Sequence, residues 1–235
     1  MCSLLNSKYD YEIITPVWRH FPSLIKWKQK NRIVNNSNDN YLLERGINYS
    51  IIFDLTTLIE GCFYEMYFLG QNTRNTNLTD EQIFSLNNTM YYRLANELYE
   101  RMNVATWSDV NELFYLCFGK IIKEEIDNER WKSISILFSF RNLLIHGKPI
   151  YVEYAKNIEK EEPNILVKNK HKTVYNYLLE KKLITKGDNL ESVLISNTIA
   201  DHFVSETFNF IKESVMCVDE SIRNDLIDIV LDEFD

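Results

Sequence analysis

The sequence predicts an all-α fold, and three observations lead to that prediction. The 235 residues include only 6 glycines and 4 prolines, too few for the many turns of a β-sandwich. Apolar residues make up 45% of the chain, which is enough for a sizeable core. Over most of the chain these apolar residues recur every three or four positions, which is the period of an amphipathic helix.

The N-terminal half of the chain is predicted to hold an irregular extension and then a series of helices. Residues 1–40 are expected to be irregular, with three aromatic side chains that dock on the rest of the protein, Trp18, Phe21 and Trp27. A long helix is predicted over 41–69, where Gly61 would allow a close contact with another helix. Further helical patterns cover 80–102 and, from an N-cap at Ser108, the residues up to 126.

The next helix is predicted to run from a cap at Asp127 to Gly147, and the pattern changes after it. Residues 151–154 and 165–167 are short runs typical of strands, and they could pair as a small β-hairpin. Helical patterns return over 173–182, 196–215 and 219–234. We therefore expect an N-terminal extension over 1–40, one helical domain over 41–215 and a C-terminal amphipathic helix over 216–235.

The charge of the chain limits how it could bind nucleic acid. The formal net charge is −8 and the pI is about 5.2, which argues against a protein that holds duplex DNA by counterion release. Any contact with RNA would depend on local basic segments. Two such segments are present, Lys26, Lys28, Lys30 and Arg32 near the N-terminus and Lys168, Lys170, His171 and Lys172 later in the chain. Either run could instead be a solvated charged loop.

The cysteines and the hydropathy of the chain predict a cytoplasmic protein. The four cysteines have no metal-ligand spacing, and they are typical of free thiols in a reducing compartment. We expect no metal site, since the histidines, cysteines and carboxylates form no set with zinc spacing. The N-terminus lacks the pattern of a signal peptide, and no segment is apolar enough to span a bilayer. We therefore expect no membrane partner.

The segment from Arg141 to Gly147 carries the strongest indication of chemistry. Three arginines in the chain are followed by asparagine, and only Arg141, with Asn142 after it, also precedes a histidine at a short fixed spacing, His146. An arginine, an amide and an imidazole held together can bind a phosphodiester, orient it and move a proton. The alternative is a helix that ends at Gly147, where His146 and Lys148 complement the negative end of the helix dipole.

The spacing of Arg141, Asn142 and His146 resembles the signature of the HEPN family, in which Arg and a polar residue precede a His by three variable residues. The resemblance implies a helical bundle that cleaves RNA without a cofactor, in toxin–antitoxin or phage-defence systems. It also implies that two protomers form a composite active site at a dimer interface. The partners implied are an RNA substrate, a second copy of the chain and an antitoxin protein.

The resemblance gives roles to particular residues. His146 would exchange protons, Arg141 would bind the phosphate, and Asn142 would orient His146. HEPN enzymes often add an acidic or polar residue from an earlier helix, and Glu60 is our candidate, ahead of Asp54 and Glu65. The alternative is that Glu60 is a solvent-facing carboxylate on an otherwise apolar helix.

RNA contacts are assigned to four lysines, Lys148, Lys168, Lys170 and Lys172. His20, His171 and His202 are predicted to be ordinary surface or partly buried histidines. The low positive charge leaves an alternative of a different class, a non-catalytic HEPN-like module that dimerises or binds a protein partner.

Overall fold

The computed structural model of the chain describes residues 17–32, 38–75, 97–98, 100–102, 104–145, 152–155, 164–167, 169–185 and 196–226. Most of these residues are helical, so the predicted all-α character is confirmed at this level. No helix in the described ranges is both long and apolar enough to cross a bilayer.

The chain forms two compact units, and each is built from segments that are distant in sequence. Unit 1 comprises Met1–Pro22, Thr57–Asn128 and Asn209–Asp235, and unit 2 comprises Ser23–Thr56 and Glu129–Phe208. Four of the helices described below have residues in both units, and the predicted domains over 1–40, 41–215 and 216–235 stay a prediction.

The N-terminal segment contains regular structure, so the prediction that residues 1–40 are irregular is wrong for part of that range. A 3-10 turn covers Val17–His20, and helix α1 covers Phe21–Lys30. The short length of α1 and its closely spaced lysines hide its pattern in the sequence. The helix is held in place by tertiary contacts, with Ile25 fully buried. Trp18 is buried as predicted, whereas Trp27 is exposed.

Helix α2 covers Asn38–Asn75 and extends beyond both ends of the predicted helix over 41–69. In unit 1 it approaches Trp18 very closely at Gly61, where a Cβ atom would lie 2.4 Å from Cγ of Trp18. The close contact expected at Gly61 therefore exists, and its partner is a residue of the 3-10 turn. The core of unit 1 contains an aromatic pair, because Phe63 of α2 stacks on Phe210 with a centroid distance of 5.7 Å.

The helix predicted from Ser108 to residue 126 is wrong in its start and in its continuity. A 3-10 turn covers Trp107–Asp109, and Thr106 is its N-cap, because the Thr106 N–H donates to the Asp109 carboxylate over 2.8 Å. Helix α3 then covers Val110–Phe118 and helix α4 covers Ile122–Glu125. They are separated at Gly119, which has φ of 72° and donates its N–H to the Tyr115 carbonyl. A glycine in the left-handed region is the usual end of a helix.

Helix α5 covers Asn128–Ile145 and carries the first part of the motif. Strand β1 covers Val152–Ala155 and pairs antiparallel with strand β2, Asn164–Val167, with Val152 opposite Val167. The residues between the strands lie outside the described ranges, so the turn of the predicted hairpin stays a prediction.

Three more helices complete the described chain. Helix α6 covers Asn169–Glu180, helix α7 covers Asn197–Met216 and helix α8 covers Glu220–Leu226. Helix α6 begins before the predicted residue 173, whereas α7 agrees with its prediction within one residue at each end. Of the predicted helix over 80–102, residues 97–98 and 100–102 are helical. The rest of that helix and residues 227–235 lie outside the described ranges.

Candidate functional site

Helix α5 places the first two motif residues in its last turn. Its buried residues are apolar apart from Ser133, and the apolar ones are Trp131, Ile134, Ile136, Leu137, Phe138 and Phe140. Leu144, expected on the buried face, is half-buried. Packing of this kind stabilises a helix more than its intrinsic propensity does. The end of α5 is thus held on a packed helix, and with it the backbone of Arg141 and Asn142.

Arg141 and Asn142 contact one another directly. Nη1 of Arg141 donates to Oδ1 of Asn142 over 3.3 Å, while Asn142 itself is exposed. Nε of Arg141 is buried and has no hydrogen-bond partner in the part of the chain that the structure describes. A buried donor in a protein normally has a partner. Since Nε is buried, an anionic ligand would have to meet the guanidinium group of the half-buried Arg141 at its Nη atoms.

Several other predicted site residues cannot be placed. His146, Lys148 and Lys168 lie outside the described residues, as does Gly147. Lys170 belongs to α6, and Lys172 is an exposed residue of the same helix. The histidine of the motif and its predicted contact with Asn142 therefore stay predictions.

The predicted acidic residue, Glu60, is a half-buried residue of α2. It belongs to unit 1, whereas Arg141 and Asn142 belong to unit 2, so its role also stays a prediction. The two weaker candidates are already engaged elsewhere. Glu65 accepts from Arg19 over 3.0 Å, and Asp54 accepts from Lys28 over 2.5 Å. Burial raises the pKa of Asp54, and the Lys28 ammonium opposes that shift.

Sequence reasoning missed a polar cluster in unit 2 that joins three helices. Its centre is Tyr177 of α6, whose hydroxyl lies 2.6 Å from Oγ of Ser133 on α5 and 2.7 Å from Nε2 of His202 on α7. Ser133 in turn donates to the carbonyl of Glu129 over 2.9 Å. Since Ser133 uses its own proton there, Tyr177 donates to Ser133 and His202 donates to Tyr177.

The surroundings of this cluster keep both titratable side chains neutral at pH 7. Burial raises the pKa of Tyr177 to about 12. Burial lowers the pKa of His202, the neighbouring Glu206 carboxylate opposes that shift, and the Lys181 ammonium adds to it. Nε of Arg130 lies 4.0 Å from a carboxylate oxygen of Glu206 and partly balances its negative charge. The cluster is thus a neutral hydrogen-bonded link between helices, with its charged neighbours around it.

The prediction that His202 is an ordinary, partly buried histidine agrees with its half-buried position, but its role as a link was not foreseen. Tyr177 is separated from Ser133 by 44 residues and from His202 by 25, so no local spacing indicates the contact. One sign was available in the sequence, since Ser133 interrupts an otherwise apolar helix face. A polar residue on such a face indicates a buried hydrogen bond.

In the described part of the chain, no three histidine, cysteine or carboxylate side chains come together in a way that could hold a metal ion. Comparisons with protein-family models, with curated proteins and with solved structures found no match. The resemblance to HEPN proteins therefore depends on the motif of Arg141, Asn142 and His146.

Proposed function

We propose that the chain is a metal-independent endoribonuclease of the HEPN type, acting in the cytoplasm as a toxin or phage-defence effector. The observation that carries the proposal is the state of Arg141. Its guanidinium group is held at the end of a packed helix beside Asn142, and its buried Nε has no partner among the described residues. Arg141 as a whole is half-buried and Asn142 is exposed, so a phosphate would meet the guanidinium group from its exposed side, and Arg–phosphate hydrogen bonds are among the strong ones.

The reaction needs one group that moves a proton and one that stabilises charge. In this proposal His146 exchanges a proton with the attacking 2′-hydroxyl or with the leaving 5′-oxygen. Arg141 stabilises the negative charge that develops on the phosphate. The nucleophile is part of the RNA itself, so the product carries a 2′,3′-cyclic phosphate and DNA is not cleaved. Glu60 is proposed as an additional acidic residue.

Dimerisation would complete the site. On a continuing helix Arg141 and His146 would lie about 140° apart, whereas Asn142 and His146 would share a face. Asn142 can then orient the imidazole, and Arg141 acts across an interface with a second copy. We expect a homodimer with the motif helices near the two-fold axis. A sedimentation experiment that finds an active monomer at micromolar concentration would contradict the composite site.

The RNA would be held by lysines that follow the motif, Lys148, Lys168, Lys170 and Lys172, and an antitoxin protein would be a further partner. A second candidate function is a non-catalytic HEPN-like module that dimerises or binds a protein. The net charge of −8 favours this second candidate, because a strongly acidic chain attracts RNA weakly.

The test is cleavage of mixed RNA by the purified full chain with a chelator present. We expect cleavage by the parent and a loss of about 10²–10⁴-fold in rate for His146→Ala, the typical value for losing a general acid or base. Arg141→Ala should be similarly inactive, and Arg141→Lys should recover only part of the rate, since lysine lacks the planar bidentate fork.

The matched control is His20→Ala, because His20 is an exposed histidine outside the motif. It should cleave RNA like the parent. Full activity of His146→Ala would reject the ribonuclease proposal. A parent that dimerises normally but cleaves no RNA at high concentration would favour the non-catalytic module.

A further inference from the structure

The outer face of α1 presents an exposed tryptophan. Trp27 is 61% exposed, while Trp18 and Trp131 are 7% and 9% exposed and Trp107 is half-buried. Ser23, Leu24 and Lys30 are also exposed. On a helix of 3.6 residues per turn, Ser23, Trp27 and Lys30 fall on one face. We call this set of three residues the α1 platform.

The helix that carries the α1 platform is anchored in unit 2 through its opposite face. Ile25 is fully buried. Lys28 donates to Asp54 over 2.5 Å, and Gln29 donates to Asp201 over 2.6 Å. Trp27 is therefore held on a fixed support, which lowers the entropy lost when a ligand binds to its ring.

These anchoring contacts also divide the basic segment of the sequence into two groups. Lys28 and Arg32 are used inside the protein, since Arg32 binds Asp201 over 2.7 Å with its side chain only 8% exposed. Lys30 is exposed, and no ion pair to it occurs in the described part of the chain. The positive charge that stays available on α1 thus lies beside the exposed ring of Trp27.

We propose that the α1 platform binds single-stranded RNA, with one base stacked on the Trp27 ring and Lys30 against a neighbouring phosphate. Sequence-independent binding of single strands combines aromatic rings, on which bases stack, with positive charge along the backbone, and the α1 platform offers one of each. A membrane surface fits less well, because α1 turns its main apolar side inward and offers lipid only Leu24 and Trp27. The choice of RNA rests on the proposed function, but the binding does not depend on cleavage.

The experiment measures binding of a short, unpaired 2′-O-methyl RNA to the full chain. This RNA cannot be cleaved by 2′-hydroxyl attack, so binding is separated from catalysis. Trp27→Ala should weaken binding by between about fivefold and about a hundredfold, the range found when one stacked base loses its aromatic partner. Trp27→Phe should keep most of the affinity because it keeps an aromatic face. Lys30→Gln should reduce the salt dependence by about one phosphate contact.

Two readouts distinguish stacking from a general effect of removing an exposed ring. Tyr115→Ala removes an aromatic side chain that is 56% exposed on α3, and it should bind the RNA like the parent. RNA should also quench the tryptophan fluorescence of the parent but not that of Trp27→Phe. The proposal is overturned if Trp27→Ala binds like the parent, or if Tyr115→Ala weakens binding equally.

The remaining outcomes separate this proposal from the ribonuclease proposal. If RNA binding depends on Trp27 but the chain cleaves no RNA, the α1 platform proposal is supported and the ribonuclease proposal is rejected. If the chain cleaves RNA but its binding does not depend on Trp27, the ribonuclease proposal is supported and the α1 platform proposal is rejected. If Trp27 supports binding to phosphatidylcholine–phosphatidylserine vesicles but not to the RNA, α1 is a membrane contact and the RNA proposal fails.

Discussion

Replacing Gly61 by alanine should destabilise the protein, although alanine is the better helix former. A Cβ atom at Gly61 would lie 2.4 Å from Cγ, 2.6 Å from Cβ and 2.6 Å from Cδ1 of Trp18. The three atoms belong to the base of the indole side chain, so no rotation of a flexible end relieves the contact. Trp18 or the helix must move by about 1 Å to restore normal van der Waals spacing.

The magnitude follows from two opposing effects. Overpacking of a filled site costs about 1–3 kcal/mol. Alanine in place of glycine within a helix gains about 0.5–1 kcal/mol. Gly46 isolates the second effect, because it lies in the same helix, is exposed, and has no atom within 4 Å of the Cβ position. We expect Gly46→Ala to be more stable than the parent and Gly61→Ala to be less stable.

Urea unfolding of the parent and both variants, followed by circular dichroism, measures the difference. For a protein of this length, a loss of 1 kcal/mol corresponds to a melting temperature about 2–4 °C lower, so a thermal scan gives an independent reading. Equal stability of Gly61→Ala and Gly46→Ala would show that Trp18 does not pack against Gly61 in solution.

Three further predictions concern the link between helices and a second glycine contact. The pKa of His202 is lowered by burial from 6.5, so the unfolded chain takes up the proton first and the folded state loses stability as the pH falls below about 6.5. Urea unfolding at several pH values should show this loss in the parent and not in His202→Gln. If the free energy of unfolding falls equally with pH in both proteins, the prediction is contradicted. Tyr177→Phe removes two hydrogen bonds and should lower the free energy of unfolding by about 1–3 kcal/mol, whereas the exposed Tyr115→Phe should change it little in the same experiment. Gly70→Ala should destabilise the protein less than Gly61→Ala does, because the new Cβ atom would meet the far edge of the Phe118 ring, at 2.8 Å. A larger decrease in melting temperature for Gly70→Ala than for Gly61→Ala in a thermal scan would contradict this order.

The sequence alone allowed the main helices to be predicted. The long helix α2, the motif helix α5 and helix α7 each contain many turns of one apolar period, and such a repeat needs no tertiary information. Arg141 and Asn142 were chosen from the short spacing of the motif, and their functional role stays a prediction. The signals were weaker in α1, which is short and lysine-rich, and at Gly119, where one residue in the left-handed region divides a helix in two.

Contacts between distant residues depended on the tertiary structure. Tyr177 joins Ser133 and His202, and Trp18 covers Gly61. In neither case does a sequence pattern show that these residues are in contact. The sequence likewise did not show which lysines of α1 are available to a ligand, because the ion pair between Lys28 and Asp54 forms only when distant residues pack together. The apolar period shows which face of a helix is buried, and a few turns of sequence are enough to show it. The period does not show which neighbouring helix covers that face, because this depends on how all the helices pack together.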